Sequence, residues 1–155
     1  MSKFNNTHLI HTVLGHAYLL FLVFFCLAIF VNRLYPFEFH STTLEYIGIV
    51  LVFLGTFVIF WAQRASHIST KARLADDRTH EAFSVGPYAF LRTPTQTSLF
   101  LLMFGLGLVV DILWISIFAI ISLVVNYIIF VKKQDKILLK RYGASYEKYR
   151  SKVRF

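Results

Sequence analysis

Long stretches of this chain carry no Asp, Glu, Lys or Arg at all: between Lys3 and Arg33, between Glu45 and Arg64, between Arg92 and Asp111, and between Asp111 and Lys132. Inside them the apolar residues run on without the strict alternation of a half-buried strand. A hydrocarbon core about 30 Å thick takes about 20 helical residues at a rise of 1.5 Å each. The pattern therefore predicts spanning helices near residues 12–31, 46–62, 95–110 and 112–130, the third being the shortest. Backbone polar groups in lipid must be satisfied within the segment, so uniformly apolar runs of this length are helices rather than barrel strands. The predicted fold is all-α: a polytopic membrane helix bundle of about four transmembrane helices, a loop over residues 63–92 and a basic C-terminal helix over 132–155, all one domain.

Composition agrees with the pattern. With 57% hydrophobic residues, 15% charged and a mean hydropathy of +0.62, too little polar surface exists to solvate a globule of this size. The first apolar run follows Lys3 as a signal peptide would. It is longer than a signal's apolar core, and its exit, Asn32-Arg33-Leu34-Tyr35-Pro36, has no small-residue cleavage site, so the helix is expected to be retained.

Charge then orients the helices. Arg64, Lys71, Arg73, Arg78 and Arg92 lie between the second and third runs, and Lys132, Lys133, Lys136, Lys140, Arg141, Lys148, Arg150, Lys152 and Arg154 follow the fourth. Four spans put both segments on one side, which the positive-inside bias makes cytoplasmic. The net charge of +8 is thus accounted for by anionic headgroups beside the spans, and nucleic acid is not the expected partner. In the tail, Leu138, Tyr142, Tyr146 and Tyr149 recur at helical spacing opposite the lysines, as in a helix lying at the interface.

Most candidate chemistry is unremarkable. His11 and His16 are five residues apart and do not share a helix face as metal ligands would. Asp76 and Asp77 read as solvated loop acids beside Arg73 and Arg78, and Cys26 stands alone in a span. Asn126, costly in hydrocarbon, is expected to bond to a neighbouring helix. Gly48 and Gly55, two turns apart, are expected to admit close packing, whereas Gly105 and Gly107 lack the spacing of a dimer motif. No Walker loop, nucleophile elbow or dinucleotide fingerprint occurs.

One ordered set stands out. Gly86-Pro87-Tyr88-Ala89-Phe90-Leu91-Arg92-Thr93-Pro94 enters a helical hairpin that exits into Gln134-Asp135, followed by Tyr142-Gly143 and Tyr146-Glu147-Lys148-Tyr149. This resembles the isoprenylcysteine carboxyl methyltransferase family and its phospholipid N-methyltransferase relatives over about the C-terminal half of the chain. That family has a G-P-Y turn, an R-H-P-x-Y motif, an acidic pair and F-G-x-x-Y-x-x-Y in this order. The chain departs from it: Thr93 stands for the His, Gln96 for the Tyr, Ser98 for a Gly, and Gln134-Asp135 for the paired glutamates, and Val153-Arg154-Phe155 lacks the proline of the family's ending.

The resemblance implies methyl transfer from S-adenosylmethionine to a lipid-like or prenylated acceptor. Such chemistry needs donor and acceptor held in line and no nucleophilic side chain or metal. By the same resemblance Arg92 would pair with the cofactor's carboxylate, and Gln134 and Asp135 would serve its ribose hydroxyls. Gly86, Pro87 and Tyr88 would wall the pocket, with Thr93 and Gln96 at its motif positions. Catalysis would rest on Arg92 and Asp135. A nicotinamide-dependent membrane reductase and a non-catalytic descendant are the alternatives; the Asn-Tyr that such reductases carry after the motif proline is Thr95-Gln96 here.

Overall fold

In the computed structural model, the described backbone covers residues 3–37, 40–74, 86–91 and 93–153. Side chains are described within these except at residues 3–14, 17, 66–74, 141, 142, 145, 148 and 149. Asp76, Asp77, Arg78, His80, Glu81, Arg92 and Arg154 therefore lie outside the described residues, as do the side chains of His8, His11, Tyr142 and Tyr149. Every regular element among the described residues is helical: α1 (Lys3–Leu34), α2 (Thr42–Leu74), one 3-10 turn (Gly86–Ala89), α3 (Pro94–Val109), α4 (Leu113–Asn126), a π turn (Tyr127–Val131), α5 (Lys132–Tyr142) and α6 (Ala144–Lys152).

Two described helices are both long and apolar enough to cross a membrane, Thr42–Ala65 and Leu113–Lys140; Tyr18–Leu34 and Pro94–Val109 are shorter apolar helices. Several boundaries differ from those predicted. No Gly or Pro occurs between Gly55 and Leu74 to stop a helix, so α2 runs on through residues 63–74, which were expected to open the loop. The fourth helix does not end near residue 130 but continues through the π turn into α5. The tail is two helices rather than one, because Gly143 takes a φ of +54° that interrupts the helix.

The four long helices lie side by side in the spatial order α1, α4, α3, α2; α1 touches α3 only slightly. The α2–α3 seam rests on three glycines. A Cβ on Gly48 would stand 2.7 Å from the Gly105 carbonyl oxygen, and one on Gly105 would stand 2.8 Å from that of Gly48. Gly55 meets α3 two turns later, against the Ser98 carbonyl oxygen and Leu102. The close packing expected of Gly48 and Gly55 is thus present, and bare backbone at such crossings is what lets helices approach without a hydrophobic drive in lipid. Gly107, two residues on from Gly105, faces the other way and seats Ser116 of α4.

On the opposite side of α3, Met103 joins Ile115 and Ala119 of α4 and Phe21 and Ala28 of α1 in the buried core. Phe24 and Phe118 pack across α1 and α4 at 5.9 Å between ring centroids. The Trp114 indole donates to the Tyr35 carbonyl at 2.8 Å, pinning the end of α1 to the start of α4. The outward faces stay apolar: Phe53, Phe57 and Phe60 are 72%, 64% and 68% exposed. So large an apolar face is the surface of a protein solvated by lipid.

Asn126 departs from expectation. Its Nδ2 donates to the Ser122 carbonyl of its own helix at 3.0 Å, not to a neighbouring helix. The reason is local: in a helix the carbonyl four residues back is always within reach of a short amide side chain.

Candidate functional site

The turn Gly86-Pro87-Tyr88-Ala89 is shaped by its first two residues. Gly86 has φ +62°, and a Cβ there would stand 2.9 Å from the Ala65 Cβ and 3.2 Å from the Trp61 indole nitrogen. A side chain is thus excluded both by conformation and by the wall of α2. Pro87 is buried, and its carbonyl accepts from the backbone N–H groups of Phe90 and Leu91 at 3.1 and 2.9 Å. Tyr88 is half-buried. The turn is therefore fixed on the end of the α2 span, with Arg92 following outside the described residues.

Thr93 precedes α3 with φ −129° and ψ 61° and makes no side-chain cap, and Pro94 supplies the first turn with a residue that needs no donor. The Thr93 carbonyl instead accepts from the N–H groups of Gln96 and Thr97 and from the Thr97 hydroxyl. Gln96 is 4% exposed and Ser98 is fully buried, its hydroxyl donating to the Pro94 carbonyl at 2.6 Å. Both motif-position residues thus sit at the mouth of the α3–α4 hairpin, Thr93 half-buried and Gln96 inside.

Gln134 and Asp135 occupy the first turn of α5, beyond the π turn, and both are half-buried. The Tyr146 hydroxyl donates to Oδ1 of Asp135 at 2.5 Å, and Nε of Arg150 lies 3.9 Å from Oδ2. Both carboxylate oxygens are therefore approached by α6. Tyr146 is 2% exposed and packs with Val153 and Leu138, so the tail's aromatic stripe is turned inward here.

The expected residues thus fall into two groups. Gly86, Pro87 and Tyr88 are held on α2 and lead to Thr93 and Gln96 at the start of α3; Gln134 and Asp135 sit on α5, which packs on the π turn, α6 and α1. The α3–α4 hairpin and the π turn connect the two groups along the chain.

Sequence reasoning did not give the partners of Asp135 or of Asn126. Tyr146 and Arg150 bind Asp135, although the Tyr-Gly-x-x-Tyr spacing could have revealed the first of these, since a glycine stop sends the second helix back along the first. Asn126, expected to find a partner on a neighbouring helix, is fully buried with its Oδ1 unpartnered among the described residues, one residue before the π turn. A lone amide in a 20-residue apolar run was the only signal.

A family model described as phospholipid methyltransferase matches residues 44–145, from the start of α2 to the start of α6. Neither a curated protein nor a solved structure matches the chain.

Proposed function

The chain belongs to the phospholipid methyltransferase family, and from that membership we propose that it is an integral membrane methyltransferase using S-adenosylmethionine on a lipid-like acceptor, an amine or a carboxylate, prenylated acceptors included. The observation that carries the reading is the family match extending over both the motif turn and the Gln134-Asp135 exit of one hairpin. The cofactor supplies a methyl group on a sulfonium, which passes to the acceptor while the sulfur keeps the bonding electron pair and leaves as S-adenosylhomocysteine.

The residues present fit that cofactor in kind. Asp135 and Gln134 offer acceptors for ribose hydroxyls, Arg92 a cation for the carboxylate, and Gly86-Pro87-Tyr88 a rigid edge. Thr93 and Gln96 replace the family's His and Tyr with smaller side chains, which changes the shape of the mouth without removing its hydrogen-bonding capacity. The protein's contribution is to hold donor and acceptor in line and to exclude water.

The test is S-adenosylhomocysteine titration on the purified chain, paired with methyl transfer to lipids. Losing a charge-assisted hydrogen bond of about 1.5 to 3 kcal/mol weakens binding about tenfold or more, so Arg92→Ala is expected to lower affinity by at least that factor with helix content unchanged. An intact native protein that binds no S-adenosylhomocysteine would refute the reading and leave a non-catalytic family member.

The proposal includes four spans, with both termini and the segment after α2 in the cytoplasm. Its support is the clustering of Lys and Arg described above. Single cysteines introduced at Ser69 and Ser151 should resist an impermeant thiol reagent in intact cells while one at Ser41 reacts; labelling at Ser69 would refute this topology.

A further inference from the structure

Asn126 is the one residue in the fourth apolar run whose side chain carries an amide, and it is fully buried. Its donor is used, since Nδ2 gives a hydrogen bond to the Ser122 carbonyl, and its acceptor, Oδ1, has no partner among the described residues. The buried serines of the hairpin are satisfied: Ser122 donates to the Ala119 carbonyl, Ser116 to that of Phe104, and Ser98 to that of Pro94. An unpaired buried acceptor is costly in protein and more so in lipid, where no water competes to fill it. Such a group persists where something else supplies the donor.

Its position indicates what that is. Gly107 seats Ser116, and Ser116 reaches Phe104, which together set the register of the antiparallel α3–α4 hairpin. Carried along both helices, that register brings Asn126 level with Gln96, the buried residue at the family's motif position. Directly after Asn126 the helix opens into the π turn at Tyr127–Val131, a distortion that interior helices adopt where a site needs a backbone shift. This unpartnered acceptor thus lies level with Gln96 and about one turn inward of Thr93, at the inner end of the candidate site.

We propose that Asn126, with Gln96 beside it, forms the polar floor of the binding site, and that its Oδ1 accepts a hydrogen bond from an N–H or O–H group of a bound ligand. The inference rests on the methyltransferase reading. Two ligands could bring such a donor to this depth: the methyl donor, through its amino or hydroxyl groups, and the acceptor lipid, through an amine or hydroxyl headgroup.

The experiment uses the full chain in lipid nanodiscs, comparing native protein with Asn126→Leu and Asn126→Ala. Thermal stability, S-adenosylhomocysteine affinity and the KM for an amine-headed phospholipid are measured on each. Stability should hold or rise in Asn126→Leu, because an orphaned acceptor is replaced by an apolar group of similar size. At least one ligand should bind about tenfold more weakly, as a lost hydrogen bond of about 1.4 kcal/mol requires. A fall in S-adenosylhomocysteine affinity assigns the donor to the cofactor, and a raised lipid KM with unchanged affinity assigns it to the headgroup. Asn126→Ala decides if the leucine variant does not fold. Unchanged ligand binding in the variants, beside a native protein that binds, overturns this inference alone. A folded native protein that binds neither ligand overturns the proposed function and this inference with it.

Discussion

Where α2 crosses α3, Gly48 and Gly105 bring two backbones together with no polar side chain between them. Where α6 folds onto α5, Asp135 draws in the Tyr146 hydroxyl and the Arg150 guanidinium, and the Gly143 turn between the two helices is open, with nothing within 4 Å of where a Cβ would be. The first contact is made of shape and the second of charge. In hydrocarbon, apolar side chains gain nothing by leaving lipid for one another, so close fit and dispersion hold a seam together. At the polar end water returns, and a half-buried carboxylate gains from a charge-assisted bond. The two contacts should therefore break differently.

The largest effect is expected at the seam. In Gly105→Val, added atoms would meet the Gly48 carbonyl, the Leu51 Cβ and Val52, and backbone cannot give way as a flexible side chain does. Overpacking of this kind costs about 1 to 3 kcal/mol and occasionally more. A lowered melting temperature in nanodiscs, with faster proteolysis of α2, checks it; wild-type stability would show that α2 does not cross α3 at these glycines.

The clamp should yield by smaller and graded amounts. Tyr146→Phe removes a hydrogen bond to a carboxylate, about 1.5 to 3 kcal/mol, whereas Arg150→Gln should cost less than about 1 kcal/mol. Arg150 is half-exposed and stands 3.9 Å away, the geometry of a surface ion pair that salt screens further. Amide hydrogen exchange reads both: protection of residues 144–152 should fall strongly in the first variant and slightly in the second, with α1 to α4 unchanged. Equal losses, or loss spreading into the spans, would show that α6 is not a separately held element.

The same contrast bears on the candidate site. Asp135 is bound by its own chain on both oxygens, and Asn126, nine residues earlier on the same helical run, has an acceptor with no partner among the described residues. If α6 orients Asp135 for the ribose, Tyr146→Phe should also weaken S-adenosylhomocysteine binding. If the clamp only anchors the tail, affinity should not move.

Apolar runs and their uncharged length determined on their own that the described chain is helical and where its apolar helices fall, because hydrocarbon admits few other solutions. Order and spacing of motifs from Gly86 to Tyr149 likewise pointed to the methyltransferase family that residues 44–145 match. Helix ends were less legible: α2 passes residue 63 because nothing local stops it, and the tail breaks at Gly143 because one glycine takes a positive φ. Only the tertiary structure decided the partners. Gly105 and Gly107 look like one small-residue pair, yet they face α2 and α4 respectively, since two helical residues differ by about 200°. Tyr146 and Asp135, written as separate motifs, are one hydrogen bond, and Asn126, expected to bond across to another helix, turns its donor to its own helix and leaves Oδ1 unpartnered among the described residues. Periodicity reports which face a residue occupies, but a partner on another element is set by how the helices pack, and that information is not carried by either segment alone.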